Sequence, residues 1–481
     1  MDTDKQGRLL AYGAGLALFA WFVFAIRGGL DSQLSGDDVM NLHYYWSRPW
    51  SALLKANMFF WSSFFRPAGG LFYRCVYALW GLDPLPFRIV ELVLLCVNFG
   101  LLAAVVHQLT GSRWCALVAL LAIGIHPTFS TIYVDNGSIF DILAYTCCWG
   151  AFAWYVHLRQ KGRLPGVPGM ALLLCLFAAA LDSKEISVAL PAAVALYELV
   201  WNPPTDWKPT ALWRWICHEG RYAAIGAVFA VAYTIGKRYG PQSMFDVAGY
   251  RPHYSVAAYF QSQAHFLQEL VYRPVTISAW QSAALLAVMA VLAALSRRRC
   301  LVWGLGFILA GVLPLAFIPE RGGYAYYVPS VGCAVYGTGL LDWLLEVLTG
   351  RRIRLRRAAQ AVLLALLFVV LAPWQRKWIE MHAHASHDMQ GRFQERFQRY
   401  QDQIRALIPA PRKGARILLL SDADERDDFG IYMLLRLTYN DPSLEAYRMK
   451  VLNEYHAQVD RSSYDYVLDW VDGRFVLVGR K

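Results

Sequence analysis

Charge is scarce in this sequence. Of its 481 residues only 17% are Asp, Glu, Lys or Arg, against about 25% in soluble domains. That shortage excludes an ordinary soluble protein of this length. The 57% hydrophobic content excludes intrinsic disorder. A Gly-rich phosphate loop, a Gly-x-Ser-x-Gly elbow and a His-Glu-x-x-His pair are all missing. Nucleotide chemistry, serine hydrolysis and zinc-peptidase chemistry therefore lack a motif. There is no CxxC or CxxH spacing for structural zinc, and no internal repeat. The nine cysteines lie mostly inside apolar runs, so no disulfide framework is implied. The sequence names no cofactor and assigns no metal ligand, which leaves a divalent metal open.

What is abundant is apolar sequence, with a mean hydropathy of +0.32. A spanning helix needs roughly 20 apolar residues. Runs of that kind occupy 8–27, 86–109, 113–132, 138–158, 168–182, 185–201, 221–237, 275–295, 301–318, 325–346 and 358–375. Asp182-Ser183-Lys184-Glu185 divides the fifth from the sixth and reads as a turn. The net charge of +11 collects in alternate loops: Arg159/Lys161/Arg163, Lys208/Arg214/Arg221, Arg297–Arg299 and Arg351–Arg357. By the positive-inside rule these loops are cytoplasmic, as is the N-terminus. That distribution favours membrane topology over nucleic-acid binding.

The expected fold is an all-α polytopic membrane protein with about 11 transmembrane helices, carrying a small C-terminal α/β extracytoplasmic domain. Residues 1–375 form the membrane domain, with outer loops at about 28–85 and 238–274. Residues 376–481 form the soluble domain. There 383–409 reads as an amphipathic helix, Ala415–Leu420, Tyr464–Val471 and Phe475–Val478 as strands, and Phe429–Tyr439 as a helix.

Ionisable groups in or beside spans are costly and so are candidates for function. Asp37 and Asp38, after Ser35-Gly36, supply a general base or cap a helix over Val39–Trp50. Arg66, in Phe64-Phe65-Arg66-Pro67, offers a planar fork to a lipid phosphate or snorkels as an anchor. His126-Pro127, Asp135-Asn136 and Asp141 line a cavity or cap interfacial helix ends. Lys184 and Glu185 cradle a phosphate or are turn charges. Glu320 and Arg321 precede a Tyr-rich stretch running to Pro329-Ser330, and Arg321 is a further phosphate candidate. Under this topology these groups gather on one membrane face, whereas transporters concentrate polar groups near the midplane.

Taken in order, the pieces resemble the GT-C glycosyltransferases. They are the Asp-Asp pair, Arg66-Pro67, Phe87-Arg88-Ile89-Val90-Glu91 leading to Asn98, His126-Pro127, Asp141, Ser183-Lys184-Glu185 and Glu320-Arg321 through Pro329-Ser330. They are most similar to the branch of transmembrane TPR-containing O-mannosyltransferases and their bacterial relatives. Protein O-mannosyltransferases and the lipid A aminoarabinose transferase are more distant members. The resemblance covers roughly residues 30–345. Two departures stand out: Gly322-Gly323 is inserted after Glu320-Arg321, and the TPR tail is absent.

The resemblance implies an inverting transfer of a sugar, hexose or pentose, from a polyprenyl-phosphate donor to an acceptor hydroxyl on an extracytoplasmic glycan, lipid or protein. It implies a catalytic base at Asp37 or Asp38, with Asp37 favoured as the first acid of the pair. Arg66, His126, Asp141, Lys184, Glu185, Glu320 and Arg321 would be substrate-binding. The implied partners are the lipid-linked donor, membrane lipid and the acceptor, with no nucleic acid. The setting would be a bacterial inner membrane with the site facing the periplasm. The alternatives are a polyprenyl-linked lipid flippase or transporter, and a noncatalytic polysaccharide-assembly protein.

Overall fold

The apolar runs fold as helices because nothing else satisfies the backbone inside hydrocarbon. The computed structural model describes residues 2–59, 66–240, 243, 246, 248–272, 274–350, 352–423, 430–454 and 459–481. Phe64, Phe65, Arg351 and Phe429, named above, lie outside the described residues.

Among the described residues six helices are long and apolar enough to span: Gly7–Asp31, Pro84–Thr110, Asn136–Gln160, Ala279–Ser296, Ser330–Thr349 and Ile353–Leu407. A bent pair, Arg113–Ala122 with Pro127–Val134, makes a seventh if counted as one span, and bends by 59°. Pro127 removes a backbone donor at that bend. Val167–Leu181 and Arg299–Gly311 are apolar but shorter. The chain is an integral membrane protein.

The helices are α1 (Asp2–Ile26), α2 (Gly36–Trp46), α3 (Trp50–Phe59), α4 (Pro67–Trp80), α5 (Pro84–Thr110), α6 (Arg113–Ala122), α7 (Ser130–Val134), α8 (Ile139–Gln160), α9 (Val167–Leu181), α10 (Leu190–Trp201), α11 (Pro209–His218), α12 (Arg221–Tyr239), α13 (Val256–Glu269), α14 (Ala279–Ser296), α15 (Arg299–Gly311), α16 (Ser330–Thr349), α17 (Ile353–Leu407), α18 (Gly430–Thr438) and α19 (Met449–Glu454). The chain divides into two compact units. The first holds Met1–Leu30, Leu54–Gly69 and Ile89–Ala383, and the second holds Asp31–Leu53, Gly70–Arg88 and His384–Lys481. The domain boundary expected at 375/376 falls inside α17, which runs unbroken through Pro373. An apolar run and an amphipathic run joined in one helix leave no local break for sequence to signal.

In the first unit α8 packs on α9, α10 on α12 and α15, and α15 on α16. Their shared core is aromatic: Trp149, Phe152, Trp303 and Phe307 are buried and in mutual ring contact. Ion pairs on the buried carboxylates of Glu198 and Asp342 tie the basic ends. Arg159 bridges Glu198 at 2.8 Å and also reaches Glu219. Arg298 and Arg356 both bind Asp342 at 2.7 Å. Gln375, fully buried, donates to the Leu121 carbonyl at 2.6 Å and accepts from Trp21 Nε1 at 3.0 Å.

The second unit contains a four-stranded sheet ordered β2-β1-β3-β4: β1 (Arg416–Leu419), β2 (Glu445–Arg448), β3 (Tyr466–Val471) and β4 (Arg474–Arg480). β1 is parallel to β2 and β3, while β3 and β4 are antiparallel. Ile417, Leu418 and Leu419 are fully buried, as a central parallel strand requires. Asp472 and Gly473 turn β3 into β4 with φ of 48° and 79°, the left-handed pair that a two-residue hairpin loop needs. α18 packs on α2 and β2. Sequence reading finds β1, β3, β4 and α18 to within a few residues. It passes over β2, whose Glu445-Ala446-Tyr447-Arg448 has no alternating apolar pattern and is held by backbone pairing to β1 and by polar contacts such as Arg416–Glu445 at 3.2 Å.

Candidate functional site

The candidate residues fall in both units, and each group is described within its own.

In the first unit, Arg66 stands immediately before α4, which Pro67 opens. Its Nε and Nη2 both donate to Glu185 Oε1 at 3.2 Å, and Nη2 reaches Oε2 at 3.0 Å. Glu185 follows the turn that ends α9 and opens a short 3₁₀ segment, Glu185–Ala189. Lys184, one residue earlier, donates from Nζ to Asp141 Oδ2 at 2.7 Å. Asp141 lies in the first turn of α8, where the helix dipole favours a carboxylate. The two pairs are linked by chain adjacency and by Phe140, whose ring lies 5.4 Å from the Arg66 guanidinium. A side chain at Gly69 would collide with that ring, so the start of α4 approaches Phe140 closely only because it carries glycine there.

Exposure separates these groups. The Arg66, Glu185 and Lys184 side chains keep 21%, 26% and 19% of their surface, and Asp141 keeps 7%. Three of the four therefore reach solvent, and both cations are held by carboxylates. An arriving anion can compete for them.

The same unit gathers a second polar group next to Lys184. The Lys184 ammonium lies 5.6 Å from the Tyr324 ring. Gly323, beside Tyr324, packs against Thr128 and Glu269 so tightly that a Cβ would strike both. Thr128 Oγ1 donates to Glu269 Oε2 at 2.6 Å. His265 lies 4.0 Å from both Glu269 and Glu320 and donates from Nε2 to the Arg321 carbonyl at 2.8 Å. Arg321 stacks over Tyr250 at 3.9 Å and donates to the Gly249 carbonyl. Glu320 is exposed.

His126 is placed differently from the others. It is buried, its Nδ1 accepts from the Thr128 backbone at 3.2 Å, and its Nε2 lies 3.2 Å from the Leu270 carbonyl. Those partners assign the neutral tautomer with the proton on Nε2. Both ring nitrogens are engaged with the backbone beside the bend at Pro127.

In the second unit, Ser35 caps α2 in a reciprocal box with Asp38. Asp38 Oδ2 accepts from Ser35 N at 2.8 Å and Ser35 Oγ at 2.6 Å, and Oδ1 accepts from Tyr73 Oη at 2.8 Å. Asp38 is fully buried, and burial raises its pKa above the usual carboxylate range while the Ser35 and Tyr73 hydrogen bonds pull it back. Asp37, in the same first turn, is exposed. The sequence offered a cap and a base as rival readings of one motif. The structure divides the motif: Asp38 has the cap geometry, and Asp37 is the carboxylate that faces solvent.

Sequence reading missed several members. Lys237, in the last turn of α12, is 5% exposed, and its ammonium lies 5.2 Å from the Tyr233 ring. Glu269 and His265 sit on α13, in a stretch of sequence carrying no motif. A lysine closing an apolar run was available as a signal for Lys237, but it reads equally as the end of a span. Among the described residues no group of three or more His, Cys, Asp or Glu side chains is placed to hold a metal ion.

No family model matches the sequence, and no curated protein matches it. Two solved structures are similar to the chain along almost its whole length. One is ArnT from Cupriavidus metallidurans bound to undecaprenyl phosphate, 14% identical, with 97% of this chain and 93% of that chain covered and a TM-score of 0.48. The other is the same protein in the apo state, 13% identical, with coverages of 98% and 94% and a TM-score of 0.47. Both likenesses are remote.

Proposed function

We propose that this chain is an inverting membrane glycosyltransferase of the GT-C type, moving a sugar from a polyprenyl-phosphate donor to an acceptor hydroxyl. The observation that carries the reading is the pairing of Arg66 with Glu185 and of Lys184 with Asp141. Cations kept partly exposed at helix ends, on a protein otherwise bounded by apolar helices, suit a phosphate attached to a lipid. In the reaction the acceptor oxygen forms a bond to the anomeric carbon on one face. The bond from that carbon to the phosphate oxygen breaks on the other. The phosphate leaves with the electron pair, and Arg66 and Lys184 stabilise its growing charge. Asp37 takes the acceptor proton. Asp141, Glu185, Glu320 and Arg321 orient donor and acceptor. On this reading the helices make about 11 spans, the site and the C-terminal domain face the periplasm, and the membrane is a bacterial inner membrane.

The test is turnover by the purified protein in lipid nanodiscs with polyprenyl-phosphate sugars. The acceptor would be identified by mass spectrometry of envelope glycans, lipids and glycoproteins with and without the gene. Asp37→Asn should lower transfer by about two to four orders of magnitude, the range for general-base catalysis, without changing the melting temperature. Translocation of the lipid-linked sugar with no release of polyprenyl phosphate would make the protein a flippase and refute the proposal.

A further inference from the structure

Glu269 ends α13 and keeps 27% of its side-chain surface. Among the described residues no lysine or arginine pairs with it. Thr128 Oγ1 donates to Oε2 at 2.6 Å. Oε1 lies 4.0 Å from His265 Nε2 and has no hydrogen-bond donor among the described residues. That imidazole supplies no counter-charge. Its Nε2 donates to the Arg321 carbonyl at 2.8 Å, and its Nδ1 accepts from Gln268 Nε2 at 3.0 Å. The Gln268 amide is itself oriented by Ile277 N, which donates to its Oε1 at 3.3 Å. Those partners assign a neutral ring. One oxygen of Glu269 is therefore fixed by the protein, and the other is open to a donor from outside.

A short path joins this carboxylate to Lys184, all of it within the first unit. A Cβ at Gly323 would strike both Glu269 and Thr128, and a Cβ at Gly322 would strike the Tyr324 ring. Two glycines in a row let the chain pass between these groups. Tyr324 then holds its ring 5.6 Å from the Lys184 ammonium. Lys184, the Tyr324 ring, Gly323 and the Glu269 carboxylate thus follow one another in space. In a sugar phosphodiester the sugar is bonded directly to the phosphate. A phosphate on Lys184 therefore sets the sugar among the groups beside it. A ring and a carboxylate suit a sugar: its C–H face packs on the aromatic surface, and its hydroxyls donate to a group that can only accept.

We propose that Tyr324 and Glu269 form the seat of the donor sugar, with Glu269 Oε1 accepting from its hydroxyls and Thr128 holding the carboxylate in place. The inference rests on the glycosyltransferase reading. It makes Glu269 a specificity-determining residue, because a site that bonds a hydroxyl discriminates strongly against a sugar lacking it. It also gives a reason for an uncompensated carboxylate in a site built for an anion.

The experiment measures binding to the full chain in phosphatidylcholine nanodiscs, followed by tryptophan fluorescence. The probes are undecaprenyl methyl phosphate and the undecaprenyl-phosphoryl esters of glucose, mannose and arabinose. All carry the same single charge, so the ratio of affinities reads what the sugar adds. Wild type should bind at least one of the sugar esters about tenfold or more tightly than the methyl ester, the gain from one charge-assisted hydrogen bond. Glu269→Gln should lose most of that preference and bind the methyl ester no more weakly than wild type. Tyr324→Leu should lower the preference, and Tyr324→Phe, which keeps the ring, should retain it. An unchanged preference in Glu269→Gln overturns the inference, as does a wild type that prefers none of the sugar esters. Should Glu269→Gln fail to fold, Glu269→Asp decides, because it keeps the charge and withdraws the oxygens by one methylene. A lost preference then supports the seat, and a retained one refutes it. A wild-type protein that binds neither the methyl ester nor undecaprenyl phosphate would instead refute the glycosyltransferase reading itself.

Discussion

Lys184 gives the sharpest prediction, because packing and chemistry predict different outcomes for it. Its ammonium lies 2.7 Å from Asp141 Oδ2, with 19% of the lysine side chain and 7% of the aspartate exposed. Lys184→Ala leaves Asp141 without that ammonium. Breaking a fully buried pair costs about 3–5 kcal/mol, and the part-exposed lysine puts this one near 3 kcal/mol. A donor to developing phosphate charge is worth a further ~100–1,000-fold in turnover. The single substitution therefore lowers both stability and rate, and cannot separate them. Lys184→Ala with Asp141→Asn, compared with Asp141→Asn alone, does, because it removes both charges and allows for the orienting role of Asp141. If Lys184 serves the phosphate, the double variant melts close to wild type yet stays about 100-fold or more slower than Asp141→Asn. Lys184→Arg should be intermediate, since a cation remains but its geometry changes. The assay is single-turnover transfer in nanodiscs beside thermal unfolding of the same preparations. A double variant that regains the melting temperature and turns over as fast as Asp141→Asn would show that Lys184 only neutralises Asp141.

The second unit offers further tests. Asp422 is buried, and although burial alone would raise its pKa, hydrogen bonds and charge from Arg448 and Lys450 hold it below the usual range; Asp422→Ala should cost about 3–5 kcal/mol in chemical unfolding, and an unchanged midpoint would remove the pair from the stability of the unit. His43 has its pKa pushed from 6.5 to about 4 by burial and then by Arg436. It is neutral in the folded protein while the unfolded chain takes up the proton, so its contribution is intact above pH 6.5 and is lost as pH falls towards 4. Wild type should lose more thermal stability than His43→Gln across that window, and parallel curves would exclude His43 as the cause. A cysteine at exposed Ser443, in a cysteine-free background, should react with an impermeant maleimide on intact spheroplasts; labelling only after lysis would place the C-terminal domain inside.

The sequence by itself determined the membrane class, because long apolar runs permit no other backbone solution than helices. It marked the break after α9, since Asp182-Ser183-Lys184-Glu185 cannot continue an apolar span. It also signalled the central and hairpin strands of the small sheet, whose side chains alternate or are wholly apolar. Local pattern carried all of these. Partners came only with tertiary structure. Arg66 and Glu185 are 119 residues apart, and Lys184 and Asp141 are 43 apart, so no spacing rule joins them. The hydrogen-bond partners of His126, the Thr128 backbone and the Leu270 carbonyl, are likewise visible only in the fold. Asp37 and Asp38 are neighbours with one chemistry, and only the Ser35 box and Tyr73 bury one and leave the other in water. Lys237 reads as the end of a span in one dimension. Helix packing buries it, with its ammonium 5.2 Å from the Tyr233 ring, and that is a property of the fold because the energy of a buried charge depends on what surrounds it.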